Sequence, residues 1–545
     1  MKSFLFIALA TAVGILSAAA AEKPNVLLVL MDDLGYSDLG CYGGEIPTPN
    51  IDALAKTGLR FTHMANSARC CPTRASLLTG LHPAQAGIPN FGGQLTTKSA
   101  TLAEVMKSAG YSTYMSGKWH VGNSEAASPT VRGFDEFYGY TNGHSAGQWD
   151  SKFYKRLPAE RTPELKYEKG KYYATDAFTD YALEFIKQGE AKKKPWFLYL
   201  AHSSPHFPIQ APAKSAIGFL DTYRKGWDVL REQRFQKLKQ IGLINSDGWK
   251  LSPLSLVPTG HPSEYTGKPN PAWSSLAADR REELAQRMAL YAAMVKHVDD
   301  GIGRIVKQLK ESGAYENTLI MLLSDNGACY EWTAFGFTGD GKDLSKMPKD
   351  PLQALEQLGG PGKPHISYGS AWANLGNTPF RLYKHFTHEG GILTPFIVHW
   401  PKGIQQPDRW VRDPGHVMDI MPTLVEVSGS SYPSTVPPME GISLAPTFKS
   451  TAALPERTLC FQHEGAQAIR KGQWKLVKGK RFPTPAKWEL YDIKADPCEL
   501  NDLASKQPEL VTSLSAEWTA WATRTGTPTE TASKKPKKKK AATNS

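Results

Sequence analysis

Asp32-Asp33 and Asp325-Asn326 supply three carboxylates and one amide oxygen from two short clusters far apart along the chain. An all-oxygen set of this kind suits a hard cation such as Ca2+ or Mg2+, whereas zinc calls for imidazole or thiolate. A divalent ion also lets three carboxylates share one site without mutual repulsion forcing protonation. Each dipeptide by itself is equally at home in a turn. A second constellation runs Cys70-Cys71-Pro72-Thr73-Arg74-Ala75-Ser76-Leu77-Leu78-Thr79-Gly80. Proline suits a helix's first position and glycine its far end, which predicts a short helix with Cys70 at its N-terminus. Amide groups and helix dipole favour an anion or a low-pKa thiol there, and Arg74, one turn on, can aim at the same point. A buried structural thiol is the plainer alternative.

These groups act together only if the fold gathers them. Short apolar runs at 25–31, 111–115, 196–201, 319–323 and 396–400 read as strands covered on both faces. Helical patterns lie between them, the clearest placing Leu284, Met288, Tyr291, Met294, Val298, Ile302, Ile305 and Leu309 on one stripe. Alternating strands and helices predict an α/β fold, a large and mainly parallel sheet sandwiched by helices. Ligands of such sheets bind outside the carboxyl ends of the strands. Asp32-Asp33 follow the first run, Lys118 and His120 the second, His202 and His206 the third, and Asp325-Asn326 the fourth. One such coincidence is what turns produce; four of them, two with paired oxygen ligands, read as a functional rim.

The chain has 545 residues, 41% of them apolar, enough for a large core and too many for wholesale disorder. Its formal net charge of +12 includes six lysines between 534 and 540, and the rest carries +6. Such a run reads as a solvated extension, and no nucleic-acid partner is expected. Lys2, the apolar stretch 4–16 and the small residues 17–21 read as a signal peptide spanning 1–21. A periplasmic or secreted protein follows, with no transmembrane segment after signal removal. A catalytic domain is expected over 22–430, with surface excursions at 150–170 and 338–365 and a Pro- and Gly-rich linker at 429–441. A smaller C-terminal antiparallel-sheet-plus-helix domain is expected over 431–524. Its strands lie near 457–462, 468–470, 474–477 and 488–491, and its helix has Leu510, Leu514, Trp518 and Trp521 on one stripe. The Lys-rich segment 525–545 reads as disordered. Six scattered cysteines are too few for a disulfide scaffold, and no C-x-x-C pair argues for structural zinc.

Cys70-x-Pro72-x-Arg74 followed by Leu78-Thr79-Gly80 resembles the signature of type I sulfatases. Other landmarks of that family recur in order: Asp32-Asp33-Leu34-Gly35, Thr48-Pro49-Asn50-Ile51-Asp52, Gly117-Lys118-Trp119-His120-Val121-Gly122 and Gly133-Phe134-Asp135. They continue with Pro205-His206-Phe207-Pro208, Ser324-Asp325-Asn326-Gly327, Lys384 before Glu389-Gly390-Gly391, and Glu489-Leu490-Tyr491-Asp492 before Asp496-Pro497. The resemblance spans about residues 24–505, and 377–395 looks closest to bacterial arylsulfatases. It implies an alkaline-phosphatase-like fold and a formylglycine made from Cys70 by a formylglycine-generating enzyme. It further implies one Ca2+ ion held by Asp32, Asp33, Asp325, Asn326 and the modified Cys70. By the same resemblance, Arg74 helps activate the hydrated aldehyde, Lys118 and Lys384 bind sulfate oxygens, His206 protonates the leaving oxygen, and His120 takes a proton as sulfate departs.

The resulting expectation is a calcium-dependent sulfuric ester hydrolase acting on aryl or carbohydrate sulfate esters. One rival is a phosphate or phosphonate monoester hydrolase of the same superfamily; another is a catalytically inactive sulfated-glycan-binding protein. His202, His385 and His388 are placed either in the pocket or against backbone, and His463-Glu464 is expected to reach over the substrate. With Cys70 modified, five thiols remain, so at least one has no partner within the chain.

Overall fold

The computed structural model describes residues 22–145, 147–160, 164–338, 347–480 and 486–529. The expected leader, the lysine run and part of the 338–365 excursion lie outside these residues. The apolar runs form strands: β1 (Asn25–Asp32), β2 (Leu59–Ala65), β3 (Ser112–Lys118), β4 (Glu136–Tyr140), β5 (Lys155–Leu157), β6 (Trp196–Pro205), β7 (Thr318–Ser324), β8 (Leu393–His399), β9 (Arg409–Val411) and β10 (Gly415–His416). They build one ten-stranded sheet in the order β10-β2-β8-β7-β1-β6-β3-β4-β5, with β9 beside β2. Neighbours β7, β1, β6, β3 and β4 run parallel, while β8 is antiparallel to both β7 and β2.

Strand β1 shows why the sheet is buried on both sides. Leu27, Val29 and Met31 enter one core with the long helix Ala278–Glu311, whereas Val26, Leu28 and Leu30 enter another with Leu77, Leu78 and Leu102. Successive side chains of a strand face opposite ways, so a continuous apolar run serves two layers of helices. The expected stripe of Ala278–Glu311 is buried from Leu284 to Leu309, each large side chain contributing roughly 1.5–3 kcal/mol.

The mixed directions decide what meets at the rim. The carboxyl ends of β7, β1, β6 and β3 lie along one edge. Because β8 runs the other way, its amino end lies there too and delivers residues 384–392. Strand β2 reverses again, so its carboxyl end returns to the same edge and hands the chain to the helix Cys70–Thr79.

A second sheet contains β11 (Thr458–His463), β12 (Ala466–Lys471), β13 (Trp474–Lys478) and β14 (Glu489–Asp492), antiparallel in that order. The helix Pro508–Thr525 packs Leu514, Trp518 and Ala522 on it. Lys475 ties this sheet to the large one, 2.5 Å from Glu389 and 2.8 Å from Glu499, all three buried. Two expectations need correction. Thr525 closes the last helix rather than opening a disordered segment, because it is buried and bonded to Trp521 O, with Gly526 turning the chain in the left-handed region. Residues 429–441 are not a free connection: Tyr432, Val436 and Met439 pack on the core, and Tyr432 donates to Thr79 O. The excursion 150–170 lies largely exposed among its described residues and also contributes β5, held to β4 by the buried Arg156–Glu136 ion pair. All six cysteines are free thiols.

Candidate active site

Cys70 opens the helix Cys70–Thr79, with Arg69 as N-cap and Gly80 ending it at φ 71°. Pro72 occupies the third helical position rather than the first. That position is still within the turn whose N–H groups lack intrahelical partners, so nothing is lost. Arg74 is wholly buried, its Nη2 2.8 Å from Asp325 Oδ2 and 3.6 Å from Asp32 Oδ1, with Nη1 donating to Lys118 O at 2.9 Å. Lys118 Nζ lies 2.5 Å from Asp32 Oδ2. On the other side, Lys384 Nζ is 3.0 Å from Asp33 Oδ2 and 3.3 Å from His206 Nε2, which is itself 3.3 Å from Asp33. Asn326 donates to Asp33 Oδ1 at 2.6 Å. All ten sequence-selected residues thus form one buried cluster.

Its electrostatics are short of positive charge. Burial, then the neighbouring Asp32, pushes Asp325 up to about 8 despite Arg74, and burial raises Asp32 against Lys118 and Arg74. Asp33 is the exception: burial works to raise it, but His206 and Lys384 outweigh that and hold it low. Burial also disfavours the Cys70 thiolate, yet a Cys71 hydrogen bond, Lys118 and His120 pull that thiol well below its ordinary value. Meanwhile Asp32 Oδ1 and Asn326 Oδ1 are buried without a hydrogen-bond partner. Orphaned oxygens amid crowded carboxylates fit a hard divalent cation, and Asp32, Asp33 and His206 offer ligand atoms within 4.8 Å of one another. His206 contributes least to such a set, since its Nε2 already faces Lys384.

Both site histidines are neutral near pH 7, burial lowering each to about 4. His206 Nδ1 lies 2.6 Å from Phe207 O, a contact only a protonated Nδ1 can make, leaving Nε2 as acceptor toward Lys384. Cys70 and Lys118 stand close enough to His120 to bear on its protonation, Cys70 raising the pKa and Lys118 lowering it, but burial prevails. The φ of His120 (54°) and that of Asp33 (66°) place both in the left-handed region immediately beyond β3 and β1, a conformation non-glycine residues hold where the surroundings enforce it.

The remaining histidines separate. His202 is buried in β6 with neither ring nitrogen hydrogen-bonded, so it belongs to the core. His388 Nε2 sits 3.3 Å from Glu489 and serves the contact with the small sheet. His385 borders the cluster, 2.8 Å from both Arg69 Nη1 and Glu331 Oε1. Glu464 and His463 do reach this rim: Glu464 Oε1 is 3.8 Å from Arg69 Nη1, and the His463 ring centroid is 5.4 Å from that of His385. Sequence reading missed Glu331, Cys329, Arg69 and Phe91. Glu331 Oε2 is 3.4 Å from Lys384 Nζ, and Cys329 Sγ is 3.3 Å from that same oxygen. The first two follow Asp325-Asn326 by a few residues and Arg69 immediately precedes Cys70, so adjacency to a motif was the available signal.

The family model described as Sulfatase matches residues 24–430, and that described as N-sulphoglucosamine sulphohydrolase, C-terminal, matches 380–520. An arylsulfatase of Klebsiella aerogenes is 33% identical over 451 residues, 78% of this chain and 92% of that protein. An uncharacterized sulfatase of Schizosaccharomyces pombe is 32% identical over 553 residues, covering 93% and 95%. Among solved structures, Ps i-CgsB in complex with k-i-k-neocarrahexaose superposes with a TM-score of 0.64 at 25% identity, covering 93% of this chain and 94% of that one.

Proposed function

The chain belongs to the sulfatase family and is a sulfuric ester hydrolase, and from that premise we propose that it works through a formylglycine made from Cys70 and one Ca2+ ion. The carrying observation is the helix-opening Cys70 among fixed cations, beside four oxygen-bearing side chains with two orphaned buried oxygens. Asp32, Asp33, Asp325, Asn326 and the modified Cys70 hold the ion. When present, the ion polarises sulfate oxygens, and the oxidised side chain supplies one hydroxyl for attack on sulfur and a second for release of sulfate.

The chain's own groups do the rest. Arg74, Lys118 and Lys384 are each fixed by a buried carboxylate, so they meet the charge developing on sulfate oxygens without reorganising. Lys384 and His206 share one hydrogen bond, and the proton for the departing ester oxygen comes from this pair. Neutral His120, near enough to residue 70 for Cys70 to influence its protonation, accepts the proton released as sulfate leaves. Maturation by a formylglycine-generating enzyme and export to the periplasm or beyond accompany this reading; among the described residues no helix is long and apolar enough to cross a membrane.

The test is peptide mapping of protein co-produced with the converting enzyme, followed by assay with 4-nitrophenyl sulfate. A loss of about 18 Da at residue 70 is expected, with activity that Cys70→Ala abolishes and a chelator of Ca2+ suppresses. Full turnover by the unmodified thiol, or by Cys70→Ala, would falsify the reading. Preference for 4-nitrophenyl phosphate over the sulfate would instead favour the phosphate-ester rival.

A further inference from the structure

His385, His463 and Glu464 bring one ligand atom each to within 4.8 Å of one another. Glu464 Oε2 is 4.0 Å from His385 Nδ1 and 3.8 Å from His463 Nε2; both rings are buried, and the carboxylate side chain is 30% exposed. The set draws on both sheets. His463 ends β11, and Glu464 opens the turn to β12 with its backbone N–H donating to Asn90 Oδ1 at 2.7 Å. His385 follows Lys384 and donates its backbone N–H to Ala68 O at 2.8 Å. The far side of the His385 ring is fixed as well. Glu331 Oε1 lies 2.8 Å from Nε2, and a carboxylate accepts, so Nε2 carries the hydrogen and Nδ1 turns its lone pair toward Glu464. Arg69 Nη1 donates to that lone pair at 2.8 Å, while the same guanidinium lies 4.3 Å over the Phe91 ring and 3.5 Å from Glu331.

We propose that His385, His463 and Glu464 form a second metal site, separate from the all-oxygen set around Asp32 and Asp325, for a borderline transition ion of the Zn2+ class. Two imidazoles and one carboxylate are the donors such ions take, whereas hard Ca2+ prefers oxygen throughout. Ligand atoms bonded to zinc at about 2 Å in a tetrahedron stand about 3.3 Å apart, so closure asks only about 0.5–0.7 Å of side-chain movement. The Glu331–His385 hydrogen bond is the support that metal-bound imidazoles carry on their outer nitrogen, fixing both tautomer and ring orientation. The ion takes the Nδ1 lone pair from Arg69, whose guanidinium keeps Glu331 and Phe91. Two ligands belong to the small domain and the third to the segment that delivers Lys384. The bound ion therefore staples the two sheets together, and its supporting carboxylate is the one that also holds Lys384, 3.4 Å away. Binding needs no turnover and does not involve the side chain at residue 70.

Untagged enzyme kept saturated with Ca2+ is titrated with Zn2+ by calorimetry and with Co2+ by visible absorption. One equivalent of each binds. Co2+ shows the visible absorption of a tetrahedral ion without the near-ultraviolet band of a thiolate ligand, and Zn2+ raises the melting midpoint. Glu464→Gln and His463→Gln each weaken Zn2+ binding by roughly tenfold or more, and Glu331→Gln, acting through His385, by about tenfold to a hundredfold. Glu464 is partly exposed, so Glu464→Gln is expected to melt at the wild-type midpoint without metal; if it melts lower, recovery of Zn2+ binding in Glu464→Asp separates ligation from folding. Equal Zn2+ affinity in wild type and Glu464→Gln, no saturable equivalent in the wild type, or a thiolate band in the Co2+ spectrum overturns the site. None of these outcomes bears on sulfate-ester hydrolysis, which the mass at residue 70 and the aryl sulfate assay decide separately.

Discussion

Glu331 restrains three groups with two oxygens. Oε1 lies 2.8 Å from His385 Nε2 and 3.5 Å from Arg69 Nη2, and Oε2 lies 3.4 Å from Lys384 Nζ, with the carboxylate only 2% exposed. Burial alone would raise its pKa, but Lys384, then His385, hold it well below the carboxylate range, so it stays charged. Glu331→Gln keeps the shape and removes that charge, leaving Lys384 to Asp33 and His206. Misplacing a preorganised cation by a fraction of its reach costs roughly tenfold to a hundredfold in kcat, and breaking the buried pairing costs about 3 kcal/mol of stability. Steady-state kinetics with a denaturation midpoint read both, and Glu331→Asp should recover part of each. A kcat equal to wild type in Glu331→Gln would show that Lys384 is held without it. The contrast with Asp325-Asn326 marks where sequence stops informing. Paired ligands in an ordered string of motifs are legible one by one, whereas the work of Glu331 depends on three partners drawn from two distant segments.

Strand direction is the information that the apolar runs lack. A buried run such as 396–400 announces a strand, but nothing in it says that β8 opposes β7, and that reversal is what brings Lys384 to the rim. Strand β2 was silent for another reason: Arg60 and His63 interrupt its apolar pattern, because those positions are only partly buried, and without β2 the route to Cys70 is missing. The parallel half was readable, and its precision is testable at Gly117. This residue pairs with Ala201 across β3 and β6 at φ +112°, and a Cβ added there would stand 1.9 Å from Ala201 O. Backbone cannot yield as a side chain does, so Gly117→Ala must part the strands that present Lys118, His120 and His206. A destabilisation of at least about 3 kcal/mol is expected, with loss of sulfatase activity beyond what the unfolded fraction explains. An unshifted denaturation midpoint would mean that the two strands tolerate separation and that rim geometry is less constrained than their register implies.

The two sheets meet through contacts whose chemistry makes the whole molecule sensitive to acid. Away from the catalytic cluster, His82, His202 and His399 are lowered to about 4 and His416 well below its ordinary value, in each case mainly by burial. Unfolded, each returns to a pKa near 6.5. Between the two values the unfolded chain binds more protons, so the stability these groups supply is complete above about 6.5 and drains away as pH falls toward 4. Two of them face the small domain: His416, its ring 5.8 Å from that of Phe461 in β11, and His82. The His82 Nε2 accepts a hydrogen bond from Trp521 Nε1 of the last helix at 3.1 Å, which the neutral ring alone can do, while Glu440 opposes and Arg524 and Arg457 reinforce the lowered pKa. Protonation removes the acceptor and loosens that helix from the catalytic body. Since the β11–β12 turn of the same domain holds Asn90 and carries Glu464, loosening should also reach the substrate end of the site. His82→Gln keeps a neutral acceptor that does not titrate. Thermal melting of the two proteins from pH 7.5 to 5 should therefore show the wild type losing stability more steeply, the gap between them narrowing or reversing at the acid end. Parallel curves would place the acid sensitivity in the other buried imidazoles and deny His82 any part in it.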